Sequence, residues 1–120
     1  MDALLGASGL GDIGELFPDT DPAFQDASSM TLLDKVMAWL TRTGWSVVNA
    51  DVTVICERPR LAGYRLEMRE TLAAALGVAS DAVSVKATTT EGMGFEGRGE
   101  GIAATAVCLL AREEQAPAES

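Results

Sequence analysis

The chain has 120 residues, enough for one domain, and its 48% hydrophobic and 22% charged residues are typical of a globular protein. Its 18 acidic and 9 basic residues give a net charge of −9, which argues against a nucleic-acid backbone or an anionic membrane as a partner. The chain contains no histidine, which excludes a Ser-His-Asp triad, a histidine base and a histidine-ligated metal site within it.

The first predicted element is the end of a helix. Residues 2–10 are short and rich in Ala and Leu, and Gly11 suits the left-handed position that follows a helix. Residues 11–14 predict a tight turn, and residues 17–22, which contain two prolines, predict a rigid loop. Turn capping is the simplest interpretation of the aspartates here, and the alternative is that Asp12 accepts hydrogen bonds from ribose hydroxyls.

Two amphipathic helices are predicted in the middle of the chain. Ser28 or Ser29 can cap the first, Gly44 ends it, and its apolar face comprises Met30, Leu33, Val36, Met37 and Leu40. The second is predicted over residues 61–76 and ends before Gly77. Its inward residues are Leu61, Met68, Leu72, Ala75 and Leu76, and its solvated residues are Arg65, Glu67, Arg69 and Glu70.

Three strands are predicted. Residues 45–56 form the first, with a bend near Asn49 and with Val52, Val54 and Cys56 on one face. Residues 83–90 form the second, and residues 101–112 form a third that is apolar on both faces. A strand that is buried on both faces needs a packing partner on each. The predicted helices suffice to cover one face of the sheet, so we expect the other face to pack against the sheet of another subunit. Residues 1–112 then form a single domain, and residues 113–120 a disordered tail.

A Gly-rich stretch follows the second strand, and five of residues 92–101 are glycine. Just before it stand Thr88, Thr89, Thr90 and Glu91, whose hydroxyls, N–H groups and carboxylate could hold a diphosphate and a divalent cation. A plain turn is the simplest alternative. The spacing G-x-G-x-x-G also occurs, but too little chain follows for a dinucleotide-binding unit, and Gly-Lys-Ser/Thr is absent.

The cysteines and apolar runs bear on the compartment. Cys56 and Cys108 lie far apart in apolar runs, so we expect two buried thiols rather than a disulfide or a zinc site. The longest uncharged apolar run, residues 101–111, is shorter than the ~20 residues of a membrane span. No basic segment precedes an apolar N-terminal core, so no signal peptide is predicted and a cytosolic location is expected.

Three longer segments are informative together: LGDIGELFPDTDPAF at residues 10–24, ADVTVICERPRL at residues 50–61 and KATTTEGMGFEGRGEGIA at residues 86–103. Together they resemble one family, 2-C-methyl-D-erythritol 2,4-cyclodiphosphate synthase. They stand in the family's order, and the resemblance runs from Asp2 to about Leu110. It implies an α+β protomer with helices on one face of a small mixed sheet. Three such sheets pack around a three-fold axis in a homotrimer whose active sites lie between subunits.

The resemblance also implies roles for individual residues. Asp12, with the backbone of Ile13 and Gly14, would hold the ribose of a cytidine diphosphate group. The methylerythritol portion would face Phe17, Pro18, Asp19, Thr20 and Asp21. The cytosine would be enclosed, largely by backbone groups, by Cys56, Glu57, Arg58, Pro59, Arg60, Leu61 and Ala62.

The phosphate-binding residues follow from the same resemblance. Thr88, Thr89 and Thr90 would donate to phosphate oxygens, with Thr89 stabilising the transition state. Glu91 would bind Mg²⁺ or Mn²⁺ between the α- and β-phosphates. Phe95, Arg98 and Glu100 would line the trimer's central channel, where Phe95 and Arg98 could contact an isoprenoid diphosphate. Alternatively, Arg98 and Glu100 pair across subunits and serve assembly alone.

The implied reaction belongs to the non-mevalonate isoprenoid pathway. The 2-phosphate of 4-diphosphocytidyl-2-C-methyl-D-erythritol 2-phosphate attacks the β-phosphorus, which forms the cyclodiphosphate and releases cytidine monophosphate. Attack within one folded substrate requires no protein nucleophile.

The chain also departs from the family pattern. The family's zinc site uses an Asp-x-His motif and a second histidine, and a mobile loop adds a histidine and a serine, none of which occurs here. Gln25 stands where many members carry a lysine. We therefore expect this chain to be inactive as given. We expect it to be a fragment of a normal enzyme, or an enzyme whose start was misassigned to Met1, and in either case to lack the family's first strands. The alternatives are a non-catalytic trimer that binds cytidine and isoprenoid diphosphates, and a structural subunit without a ligand.

Overall fold

A three-stranded sheet with helices packed against it forms the fold. The computed structural model describes residues 1–17, 28–56, 62–89 and 102–113. The helices are α1 (Asp2–Ser8), α2 (Ile13–Leu16), α3 (Ser29–Arg42) and α4 (Arg65–Leu76), and the strands are β1 (Trp45–Ile55), β2 (Val83–Thr88) and β3 (Ala103–Arg112). Single 3₁₀ turns, Ala62–Tyr64 and Ser80–Ala82, precede α4 and β2.

The sheet is mixed, as predicted, with strand order β2-β1-β3. β1 pairs in parallel with β2 and antiparallel with β3, so that Ile55 lies opposite Thr88 on one side and Ala103 on the other. Because parallel strands end at the same edge, the carboxyl ends of β1 and β2 lie together. The start of antiparallel β3 lies at this same edge.

β1 bends where the sequence predicts it. The register with β3 shifts between Val47 and Asn49, which is a β-bulge. After the bulge, Ala50, Val54 and Cys56 are buried and Asp51 is exposed, whereas Val52, Thr53 and Ile55 are all partly buried. Burial therefore follows the predicted alternation at Val54 and Cys56 but does not separate Val52 from Thr53 and Ile55.

Local chemistry accounts for the start of α3 and the end of α4. The side chain of Ser28 accepts a hydrogen bond from the Thr31 N–H at 3.2 Å, which caps α3. α4 is followed by Gly77 in the left-handed region, with φ 71°. The amphipathic face of α3 buries Leu33, Val36 and Leu40.

The core lies between the helices and one face of the sheet. α3 packs on β1, α4 on β2 and α1 on β3. The register places Ala50 beside Val83 and Cys108, so these inward residues share one face. The buried cluster comprises Leu4, Leu5, Leu33, Val36, Leu40, Val47, Ala50, Ala73, Leu76, Val83 and Val85. The predicted α+β class with helices on one face is therefore confirmed for the protomer.

Several predicted details are wrong. α1 ends at Ser8, with Gly9 rather than Gly11 in the left-handed position at its C-cap. The predicted tight turn contains the first turn of α2, because Asp12 caps the N–H groups of that helix. Arg69 is not simply solvated, since its Nε donates to the Ser80 carbonyl at 2.6 Å.

The second face of the sheet is open in this single chain. Val107 is 66% exposed and Leu109 is 55% exposed, although both lie in a strand whose sequence predicts covering on two sides. On the same face, Lys86 and Asp51 form an ion pair at 2.9 Å. We call this surface, formed by the outward residues of β1, β2 and β3, the open face. In the described part of the chain, no helix has the length and apolarity that crossing a bilayer requires.

Candidate substrate site

The carboxyl edge of the parallel strand pair joins two of the predicted binding segments. The N–H of Cys56 donates to the Thr88 carbonyl at 3.0 Å. This bond extends the β1–β2 hydrogen-bond ladder by one residue and fixes the position at which each of the two strands leaves the sheet. The segment predicted to enclose cytosine therefore begins beside the threonines predicted to bind phosphate.

The two described threonines are exposed at this edge. The hydroxyl of Thr88 lies 3.4 Å from the Thr89 carbonyl, near the limit of a hydrogen bond. A hydroxyl held this weakly can turn toward a phosphate oxygen at small cost, because a threonine hydroxyl both donates and accepts. The geometry is compatible with a phosphate contact of the Thr88 hydroxyl, and the phosphate roles of Thr88 and Thr89 stay predictions.

Cys56 turns its side chain into the protein and is only 6% exposed. Its N–H is occupied by the Thr88 carbonyl. The Cys56 N–H is therefore engaged within the sheet. The expectation that backbone groups of residues 56–62 enclose the cytosine stays a prediction.

Asp12 lies at the start of α2 and caps that helix. Its Oδ1 accepts a hydrogen bond from the Glu15 N–H at 2.9 Å, so the capping interpretation of Asp12 is confirmed. The carboxylate is exposed, and a carboxylate can accept several hydrogen bonds at once. Capping and ribose binding are thus compatible uses of this one side chain.

Gly14 makes room for this carboxylate. A Cβ built on Gly14 would lie 3.3 Å from Oδ1 of Asp12, closer than most such contacts in proteins. The side chain of Asp12 therefore passes close over the Gly14 backbone. A larger residue at this position would require the Asp12 carboxylate to shift slightly.

Phe17 and Ile13 also contribute to the packing of the protein core. Both are half-buried and pack against the core cluster. The Ile13 N–H donates to Oδ1 of Asp2 at 2.9 Å and so is already engaged within the protein. Any contact of Ile13 with a ribose is left to its other backbone atoms.

The remaining predicted site residues lie outside the described part of the chain, except that the backbone of Ala62 begins the 3₁₀ turn before α4. They are Pro18, Asp19, Thr20, Asp21, Glu57, Arg58, Pro59, Arg60, Leu61, Thr90, Glu91, Phe95, Arg98 and Glu100.

Sequence reasoning missed Asp2, which binds the same helix start as Asp12. It lies eleven positions before its partner Ile13, and no local pattern pairs positions so far apart. The available signal was weak: an acidic residue in the first turn of a helix that precedes a Gly-rich reversal.

A comparison with known families decides the relationship. The YgbB family matches this chain over residues 1–111.

The chain belongs to the YgbB family.

Curated relatives support this assignment along most of the chain. The 2-C-methyl-D-erythritol 2,4-cyclodiphosphate synthase of Rubrobacter xylanophilus is 61% identical over 111 residues, which cover 92% of this chain and 67% of the relative. The synthase of Moorella thermoacetica is 57% identical over 113 residues, 94% of this chain and 69% of the relative. The predicted family and its enzyme class, a lyase of isoprenoid biosynthesis, are therefore confirmed.

Solved structures share the fold. Bifunctional IspDF from Campylobacter jejuni superposes with a TM-score of 0.87 at 42% identity, covering 92% of this chain and 30% of that one. IspF from Plasmodium falciparum in complex with CDP superposes with a TM-score of 0.80 at 27% identity, covering 94% of this chain and 67% of that one. The likeness therefore extends through the sheet and the helices of this YgbB family member.

The residues of this YgbB family member bear differently on a zinc site and on a magnesium site. Among the described residues, no three His, Cys, Asp or Glu side chains cluster closely enough to hold a metal ion. The histidines of the implied zinc site are absent from the sequence, so the residues present do not fit that site. A magnesium site needs less from the protein, because Mg²⁺ commonly takes one or two carboxylates together with substrate phosphates.

Proposed function

We propose that this chain binds the cytidine diphosphate group of 4-diphosphocytidyl-2-C-methyl-D-erythritol 2-phosphate, the substrate of the cyclodiphosphate synthase reaction. The supporting observation is the hydrogen bond from Cys56 N–H to the Thr88 carbonyl at 3.0 Å. It sets the proposed base segment and the proposed phosphate segment side by side. A nucleoside diphosphate carries its base and its phosphates on one ribose, so a site for it needs the two binding segments close together.

The proposed contacts follow the chemistry of the ligand. The Asp12 carboxylate accepts hydrogen bonds from ribose hydroxyls, assisted by the backbone of Ile13 and Gly14. Residues 56–62 enclose the cytosine through backbone groups, and residues 17–21 face the methylerythritol. Thr88, Thr89 and Thr90 donate to the phosphates. Backbone recognition suits a small flat base because the fold fixes the positions of N–H and C=O groups.

In the first candidate function, which includes turnover, the reaction depends on positioning. The site folds the substrate so that its 2-phosphate meets the β-phosphorus, which supplies a high effective molarity. The Thr89 hydroxyl donates to the transferring phosphoryl group as charge builds on its oxygens. Glu91 would hold Mg²⁺ or Mn²⁺, which supplies charge neutralisation at the α- and β-phosphates when bound.

A second candidate function is favoured by the missing zinc ligands. A chain without histidine cannot supply the family's implied zinc site, so we propose that the 120-residue chain binds the ligand without turning it over. In this form it is a trimer that binds cytidine diphosphate, with Phe95, Arg98 and Glu100 in a central channel open to an isoprenoid diphosphate. If Arg98 and Glu100 instead pair with each other across subunits, they stabilise the trimer and bind no ligand.

Assembly is proposed through the open face. Exposed Val107 and Leu109 are apolar and lie on one strand, and a sheet face of this kind suits packing against another sheet. Three copies around a three-fold axis would cover all three open faces. A cytosolic location is proposed because no disulfide joins Cys56 and Cys108.

Calorimetry with cytidine diphosphate and Mg²⁺ tests the binding proposal. We expect the chain to bind, and Asp12→Ala and Thr89→Val each to weaken binding by about tenfold or more. Thr71→Val, an exposed threonine on α4, is the matched control and should leave affinity unchanged. Absence of binding by the unaltered chain would contradict the proposal and favour a structural subunit.

Turnover separates the two candidate functions. Release of cytidine monophosphate from the full substrate is followed with Mg²⁺, with and without added Zn²⁺. We expect none from the 120-residue chain under either condition, whereas turnover would contradict the non-catalytic alternative.

A further inference from the structure

Two aspartates hold the start of α2. Oδ1 of Asp2 accepts from the Ile13 N–H at 2.9 Å, and Oδ1 of Asp12 accepts from the Glu15 N–H at 2.9 Å. These donors belong to the first turn, whose N–H groups have no partner within a helix. α2 has only four residues, too few to be stable alone, so it depends on such contacts.

The two aspartates differ in what anchors them. Asp12 belongs to the connection between α1 and α2, whereas Asp2 lies in the first turn of α1. α1 is fixed to the core by Leu4 and Leu5, which are 4% and 0% exposed, and it packs on β3. The Asp2 carboxylate therefore ties the start of α2 to a rigid part of the molecule.

We infer that Asp2 is a positioning residue for ribose recognition, an inference that rests on the proposed ribose contact of Asp12. The Ile13 N–H held by Asp2 belongs to the residue directly after Asp12. Holding that peptide fixes the backbone from which the Asp12 side chain projects. It also fixes the Gly14 backbone beneath that carboxylate. Asp2 itself makes no contact with the ligand in this proposal, and acts through the orientation of Asp12.

The predicted consequence is specific to ribose hydroxyls. Calorimetry in the presence of Mg²⁺ compares cytidine diphosphate with its 2′,3′-dideoxy analogue, which lacks the hydroxyls. We expect the unaltered chain to prefer cytidine diphosphate by about tenfold. Asp2→Ala should remove most of this preference while leaving the affinity for the dideoxy analogue unchanged.

Matched variants separate the hydrogen bond from the charge. Asp2→Asn keeps an oxygen acceptor at the same place and should retain the preference. Asp34→Ala removes an exposed aspartate from α3 and should also retain it. Amide hydrogen exchange should show faster exchange at Ile13 in Asp2→Ala and unchanged protection at Val36 in the core. Should Asp2→Ala fail to fold, Asp2→Glu displaces the acceptor by one methylene group, and the same loss of preference is required of it.

The outcomes are distinguishable. An equal loss of affinity for both ligands in Asp2→Ala would indicate a purely structural role and overturn the inference. A preference fully retained in Asp2→Ala would overturn it as well, while leaving the proposed function intact. Equal binding of the two ligands by the unaltered chain would contradict the ribose contact of Asp12, and the inference with it.

Discussion

The two faces of the sheet are built from the same strands but meet different surroundings. On the helix-covered face, Val54 and Val83 are 6% and 2% exposed. On the open face, Val107 and Leu109 are 66% and 55% exposed. The sequence of β3 is apolar at successive positions, so its composition does not distinguish the faces. The fold of a single chain therefore covers only one of the two faces that the apolar sequence of β3 is suited to bury.

The open face is itself divided. Its most exposed apolar residues, Val107 and Leu109, lie on β3. β1 contributes Val48, which is 44% exposed, and Asp51, which pairs with Lys86 of β2 at 2.9 Å with both side chains about half exposed. An apolar strip beside a polar one is the pattern of a contact surface with a polar rim. The helix-covered face has no such division, because no charged or polar residue is buried among the described residues.

The largest expected effect comes from the helix-covered side. Leu40 of α3 is completely buried, so Leu40→Ala should lower the free energy of unfolding by about 3 kcal/mol through lost burial and the cavity left behind. Leu109→Ala on the open face should change it by less than about 0.5 kcal/mol in the isolated protomer. Urea unfolding at concentrations where sedimentation shows single protomers measures both. Similar losses for the two variants would contradict the distinction between the faces.

Association should respond in the opposite way. Val107→Asp places a charge on the apolar strip and should weaken self-association by roughly tenfold or more, about 1.4 kcal/mol, because the carboxylate would be desolvated in the contact. Thr71→Asp adds the same charge to the exposed surface of α4 and serves as the control. Analytical ultracentrifugation over a range of protein concentrations measures both. An unaltered association constant for Val107→Asp would exclude the open face as the interface.

The ion pair reports whether the polar strip is solvated. A double-mutant cycle with Asp51→Asn and Lys86→Met should give a coupling of about 0.5 kcal/mol in the isolated protomer, because exposed pairs are weak and screened. Added salt should reduce it further. In the assembled protein the coupling should be larger if neighbouring copies exclude water from the pair. Equal coupling in both states would mean that the pair stays solvated.

Local chemistry explains which parts of the fold were predictable. Ser28 and Gly77 mark helix ends through capping and backbone preference, and these depend on neighbours along the chain. The bend of β1 predicted near Asn49 coincides with the register shift between Val47 and Asn49. Such features need no knowledge of tertiary structure.

The unpredicted features depend on parts of the chain that meet only after folding. Asp2 binds Ile13 across the reversal between α1 and α2, and Arg69 binds the Ser80 carbonyl across the end of α4. The adjacency of Cys56 and Thr88 follows from parallel pairing, which spacing alone does not specify. The resemblance to the family supplied the proposed site residues, whereas the contacts that position Asp12 and Thr88 required the structure.

The smallest expected effect concerns Cys108, which follows Val107 in β3 but is half-buried toward the helices. Burial raises the pKa of the Cys108 thiol from its ordinary value of 9.0, while the positive charge of the Met1 amino group opposes the change. The folded state therefore favours the neutral thiol. This stability is fully present below the unfolded pKa and is lost as the pH rises through the higher folded pKa.

We therefore expect the unaltered chain to lose slightly more stability than Cys108→Ala as the pH is raised from about 8 to about 10. Urea unfolding at several pH values measures the difference. Alkylation by iodoacetamide should also be slow at neutral pH, because the thiolate is the reactive form and burial keeps it scarce. Parallel pH profiles for the two proteins would show that the Cys108 thiol is as solvated as the side chains of the open face.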